Sequence, residues 1–156
     1  MVHLQSYIFV LWAEQFEEVA AVIFVTELRR AGLRVKVVGL SPRPICGCHG
    51  LALVPDLSLD QALALATQVV CLIIPQGAGG LNPLNYEPRL GKLFEQAGQN
   101  GASIVTGSAD QLTVKGSRIL VYSQYEDLVG YVRKLARVLQ GSSQHASDQI
   151  VEGVNS

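Results

Sequence analysis

Three soft donors crowd into one short stretch, Cys46-Gly47-Cys48-His49. Thiolate and imidazole suit zinc or copper, but a tetrahedral site needs a fourth donor and none lies near in sequence. Read as redox chemistry, the stretch offers Cys46 and Cys48 as a thiol pair in an exposed loop. Read structurally, it is a loop whose thiols pack at a dimer contact. No metal and no other cofactor is therefore expected, and Cys46, Cys48 and His49 mark where a thiol or metal sensor would have to work. The third cysteine, Cys71, lies inside the apolar run Val69–Ile74 and reads as buried filler.

Glu17 and Glu18 are capable of acid or base chemistry. They fall in the first turn of an expected helix, where carboxylates favour the helix dipole, and that structural role is the stronger reading. Glu17 is kept as a candidate ligand contact. Gln76-Gly77-Ala78-Gly79-Gly80 resembles a phosphate loop only superficially, lacking the Lys-Ser/Thr pair of a P-loop and the spacing of a dinucleotide fingerprint. Its glycines fit tight turning and close backbone approach, with Gln76 and Gly77 as ligand contacts. Thr106-Gly107-Ser108 adds two hydroxyls, Thr106 and Ser108, again as ligand-binding candidates. No His or Lys lies beside them in sequence to serve as a base.

These groups need a scaffold, and the apolar pattern supplies one. Tyr7–Trp12, Val35–Leu40, Val69–Ile74, Ser103–Val105 and Arg118–Tyr122 read as strands, with a short one possible at Leu51–Pro55. Glu17–Ala31 reads as a helix with Arg29 and Arg30 in its last turn and Gly32 as its left-handed cap. Ser58 and Gln61 form a capping box for a short helix, and Pro88 opens another at a first-turn position. A second box, Ser123 with Glu126, opens a helix over Tyr125–Gln140 that Gly141 stops. The stretch Ser142–Ser156 has no apolar period and is expected to be a mobile polar tail beyond a single domain, residues 1–141. Strands that are solidly apolar and alternate with helices specify an α/β fold: a three-layer sandwich around a central, mostly parallel sheet. Ligands bind such sheets beyond the carboxyl ends of the strands. Those ends carry Trp12-Ala13-Glu14, Pro75-Gln76-Gly77 and Thr106-Gly107-Ser108.

Composition narrows the function classes. Of 156 residues, 49% are hydrophobic and 16% charged, and 12 Lys and Arg against 13 Asp and Glu leave a net charge of −1. That balance gives no electrostatic footprint for nucleic acid or an anionic membrane. The apolar, uncharged stretch Ala62–Pro75 is 14 residues, short of the roughly 20 that cross a bilayer. The first residues lack the basic start of a signal peptide, so a cytoplasmic protein is expected. The first helix is apolar nearly all round, and a homodimer through Val19, Ile23, Phe24 and Leu28 is the economical way to cover it; the other way is cover by the C-terminal segment of the same chain.

The run Glu14-Gln15-Phe16-Glu17-Glu18-Val19-Ala20-Ala21-Val22 followed by Leu28-Arg29-Arg30-Ala31-Gly32 resembles the first helix of the ThiJ/PfpI superfamily. Gly50-Leu51-Ala52-Leu53-Val54-Pro55-Asp56 and Ile74-Pro75-Gln76-Gly77 extend the resemblance, which spans about Ser6–Gly141. It implies a flavodoxin-like sheet, usually a homodimer, and a role among glyoxalases, deglycases, PfpI-type peptidases or regulatory, stress-related proteins. The superfamily's chemistry uses a nucleophilic Cys on a strained strand-to-helix turn, a Glu on the first helix and backbone donors from the glycine loop. The resemblance puts that Glu at Ala20 and that Cys at Thr106, and it shortens to Gln111–Ser117 the stretch that would carry a His. It therefore implies a degenerate pocket at Ala20, Gly77, Thr106, Gly107 and Ser108. A protein acting by binding a partner or small ligand is the first expectation. A rebuilt hydrolase or aldehyde-processing enzyme, or a thiol or metal sensor, is the alternative.

Overall fold

The computed structural model describes residues 6–40, 43–75, 87–107, 117–123 and 127–154, with side chains up to Gly141. The apolar runs become strands: β1 (Tyr7–Trp12), β2 (Arg34–Gly39), β6 (Val69–Ile74), β7 (Ser103–Thr106) and β8 (Ile119–Val121). Three two-residue strands, β3 (Ile45–Cys46), β4 (Ala52–Leu53) and β5 (Leu57–Ser58), lie between β2 and β6. The helices are α1 (Glu18–Arg30), α2 (Leu59–Ala64), α3 (Pro88–Gln99) and α4 (Leu128–Val154). The six-stranded sheet has the order β5-β2-β1-β6-β7-β8 with every pairing parallel, and β3 and β4 form a separate antiparallel pair. The expected α/β sandwich with a central parallel sheet is the architecture found.

The pleat explains why these strands are apolar throughout rather than alternating. On β1, Ile8 and Val10 join Phe24 and Leu28 of α1 and Val132 and Leu135 of α4 in one core. Phe9 and Leu11 point the other way, into a core with Leu59 of α2 and Leu90 and Leu93 of α3. β6 divides likewise, Cys71 and Ile73 against Leu72 and Ile74. Two-sided burial is the reason β1 and β6 carry no charged residue. Cys71 is fully buried in this way, and burial pushes its thiol up to about 12.

Local signals place most of the helix ends. Ser58 and Gln61 form the reciprocal capping box at α2, and Pro88 opens α3 behind the Glu87 cap. Gly32 adopts φ +83 after α1, where the Leu33 N–H reaches back to the Leu28 carbonyl. Two expectations need correction. Leu51–Pro55 contributes only Ala52–Leu53 as a strand, and its partner Ile45–Cys46 lies in the stretch expected to be loop. The helix expected over Tyr125–Gln140 is α4, described from Leu128 with the Asp127 carboxylate accepting the Gly130 N–H at 3.1 Å; Glu126 of the expected capping box lies outside the described residues. Gly141 does not stop α4, which continues to Val154 because that glycine does not take the left-handed conformation a cap requires.

Part of the cover of α1 comes from the chain itself. Phe24 and Leu28 are fully buried, and Phe24 meets the ring of Tyr122 edge-on with centroids 5.2 Å apart. They are core residues beneath α4 and are not available to a second subunit. Ile23 is partly buried against the same core, whereas Val19 and Val22 are 62% and 39% exposed on the outer face. Among the described residues no helix is long and apolar enough to cross a membrane. Truncating Phe24 to Ala should lower unfolding stability by about 3–5 kcal/mol, as for a core aromatic. Urea denaturation measures the loss, and light scattering should show no change in molar mass.

Candidate functional site

The carboxyl end of β1 is where the chain becomes crowded. After Trp12 it turns through Gln15, which has φ 71 and is the one non-glycine with positive φ among the described residues. Trp12 Nε1 donates to the Ile45 carbonyl at 2.9 Å, Gln15 N–H to Cys46 O at 3.4 Å, and Cys48 N–H to Phe16 O at 2.9 Å. The β3–β4 hairpin is thus laced to the turn that leads into α1. Glu17 N–H donates to Pro75 O at 3.3 Å, which brings in the end of β6.

Two adjacent carboxylates then do different work. Glu17 caps α1, accepting from Val19 N–H at 3.1 Å and Ala20 N–H at 2.7 Å, so its oxygens are spent on the helix. Glu18 is buried and turns to the hairpin instead. Its Oε1 accepts from His49 N–H at 2.6 Å and Leu51 N–H at 3.2 Å. Its Oε2 lies 3.1 Å from His49 Nδ1 and 3.4 Å from Cys48 Sγ, while Sγ and Nδ1 are 3.1 Å apart. Gly47 makes this approach possible, since a Cβ there would fall 2.5 Å from the Glu18 side chain.

Burial pushes the Glu18 carboxyl up, but hydrogen bonds from its own N–H and from His49 and Leu51 outweigh it and hold the group at about 2. For Cys48, partial desolvation of the sulfur comes first and the Glu18 carboxylate second, and both raise the thiol. A thiol held protonated beside a carboxylate is a poor nucleophile. Nor is the trio a nucleophile–base–orienter relay, which needs both imidazole nitrogens. Here thiol and carboxylate converge on Nδ1 alone.

The other expected positions are placed as follows. Thr106 is fully buried at the end of β7, paired with Ile74 on one side and Val121 on the other, and its carbonyl accepts Tyr122 N–H at 3.0 Å. It has ordinary strand backbone, and Gly107 follows it in a bend without positive φ. Ala20 is buried in the core that contains Val105. Gln76, Gly77 and Ser108 lie outside the described residues. Cys46 is exposed in β3, and the donor group contains Glu18 in its stead: Glu18, Cys48 and His49 each offer an atom within 4.8 Å of the others. Sequence reasoning assigned Glu18 to the helix dipole because its partners lie some 30 residues away. The available signal was Gly47 between the two cysteines.

A parallel six-stranded sheet between two helical layers, with its polar cluster at the carboxyl end of the central strand, defines an α/β sandwich of the flavodoxin-like class. The DJ-1/PfpI family model matches residues 6–129, and the chain belongs to that family. It is 32% identical over 96 residues to the protein dj-1beta of Drosophila melanogaster, an alignment covering 61% of this chain and 50% of that relative. The chain thus spans about half the length of the curated relative it matches. The crystal structure of Drosophila DJ-1beta superposes with a TM-score of 0.73 at 19% identity, covering 94% of this chain and 98% of the other. Oxidized Toxoplasma gondii DJ-1 gives 0.67 at 17% identity with the same coverages, 94% and 98%.

The depressed Glu18 carboxyl has a consequence for acid stability. A folded-state pKa of about 2 against an ordinary 4.5 means that its contribution is fully present above about pH 4.5 and is lost as pH falls toward 2. Urea midpoints measured from pH 6 to pH 2 should fall more steeply for the wild type than for Glu18→Gln. Parallel curves would remove Glu18 from the acid transition.

Proposed function

We propose that this chain is a DJ-1/PfpI family member that acts by binding a protein partner or small ligand, in a regulatory or stress-related role, and performs no covalent catalysis at the end of β7. The observation that carries this is the state of Thr106: a fully buried residue in regular strand backbone, paired on both sides. A nucleophile must present its atom to substrate, and the strained turn does that in this family. The position that resembles the family's Glu is Ala20, a methyl group in the core. Turnover of glyoxal-type aldehydes and of peptides should be equally absent in wild type and in Thr106→Val, a near-isosteric change that replaces the hydroxyl with a methyl group. Wild-type turnover abolished by Thr106→Val would overturn the reading in favour of a rebuilt enzyme.

The same proposal includes a homodimer, now with a smaller contact than the sequence suggested. With Phe24 and Leu28 inside the chain, the apolar residues left on α1 for a second copy are Val19 and Val22, one turn apart. Val19→Glu combined with Val22→Glu should halve the molar mass in light scattering while leaving the circular dichroism unchanged. A wild type that is already monomeric, or a dimer indifferent to both charges, would refute it.

A further inference from the structure

We propose that Glu18, Cys48 and His49 form a binding site for one divalent cation of the zinc class, with a remaining coordination position open to solvent. The donor atoms already form a triangle of suitable size. Its sides are 3.1 Å from Sγ to Nδ1, 3.1 Å from Nδ1 to Oε2 and 3.4 Å from Sγ to Oε2. Bonds of about 2.3 Å to sulfur and about 2.0–2.2 Å to nitrogen and oxygen, at tetrahedral angles, give edges of roughly 3.3–3.6 Å. The ion therefore needs the donors to spread by only a few tenths of an ångström.

Chemistry and charge agree with the geometry. One thiolate, one imidazole and one carboxylate are a borderline-soft set of the kind zinc takes. The carboxylate and the thiolate together neutralise a divalent ion. On binding, the Cys48 thiol gives its proton to solvent, and a neutral His49 presents the Nδ1 lone pair with its proton on Nε2.

The donors are also held in place. Glu18 Oε1 is fixed by the His49 and Leu51 N–H groups, which leaves Oε2 aimed at the other two donors. Cys48 is anchored through its N–H to Phe16 O. Such outer hydrogen bonds orient ligands and raise affinity. Cys48 and His49 are both exposed, the His49 side chain at 79%, so an ion can enter, and no fourth donor joins the group among the described residues. Three protein ligands with an open position are the pattern of zinc sites that exchange water or bind a further ligand.

The test is titration of the reduced, untagged full chain with Co2+, a spectroscopic stand-in for zinc. One Co2+ per chain should bind with a thiolate-to-cobalt absorption in the near ultraviolet, and one equivalent of Zn2+ should displace it. Cys48→Ser should abolish that band and weaken binding at least about a hundredfold, since loss of outer-shell partners alone costs about 10–100-fold. Cys46→Ser should leave band and affinity unchanged. Glu18→Gln should weaken binding at least about tenfold by the same comparison. Should that buried change unfold the protein, His49→Ala, at an exposed position, carries the same arm. No thiolate band at saturating Co2+, wild-type affinity in Cys48→Ser, or loss of the band in Cys46→Ser would each overturn the site.

Discussion

A parallel sheet whose strands are apolar on both faces has no stable form until both faces are covered, and this requirement organises the chain. It forces α1 and α4 onto one side and α2 and α3 onto the other. It also fixes where α1 begins. Because α1 must lie along β1 with Phe24 and Leu28 against α4, its first turn is pinned at the carboxyl edge of the sheet, beside the hairpin of β3 and β4. Glu18 is buried there as a consequence of packing, and a buried carboxylate has to be satisfied.

The way it is satisfied gives the site its character. Two backbone N–H groups on Oε1 replace the water that burial removed, and they favour the charged form strongly enough to overcome desolvation. The charge is therefore present across the physiological range, on a carboxylate whose other oxygen faces a thiol and an imidazole. That arrangement raises the thiol, which works against a nucleophilic role for Cys48.

How much of this was legible in the sequence depended on range. Continuous apolar runs such as Val69–Ile74 announced a sheet buried on both sides, and caps such as Ser58 and Gly32 announced helix ends, because those signals act within a few residues. Gly141 misled because a glycine ends a helix only if the backbone turns left-handed, and the residue type alone does not decide that. The apolar girth of α1 was read correctly as a demand for cover, but pattern cannot tell a second copy from the chain's own α4. The Glu18 cluster was the least legible feature. Cys48 and His49 were visible as donors, yet the third donor comes from another element, and Glu18 had a sufficient local explanation as a first-turn acid.

Glu18 does not make up for the carboxylate that the family resemblance places at Ala20. Successive helical residues turn about 100°, so positions two apart face directions about 200° apart. Ala20 lies in the core that contains Val105, whereas Glu18 turns to Gly47, Cys48 and His49 of the hairpin. The acid has not slid along the helix to serve the same pocket. Ala20 presents a methyl group to the core and Thr106 is buried at the end of β7, while Glu18 joins a hydrogen-bonded cluster with the exposed Cys48 and His49. Glu18 thus faces the hairpin, on a face of α1 distinct from the one that carries Ala20.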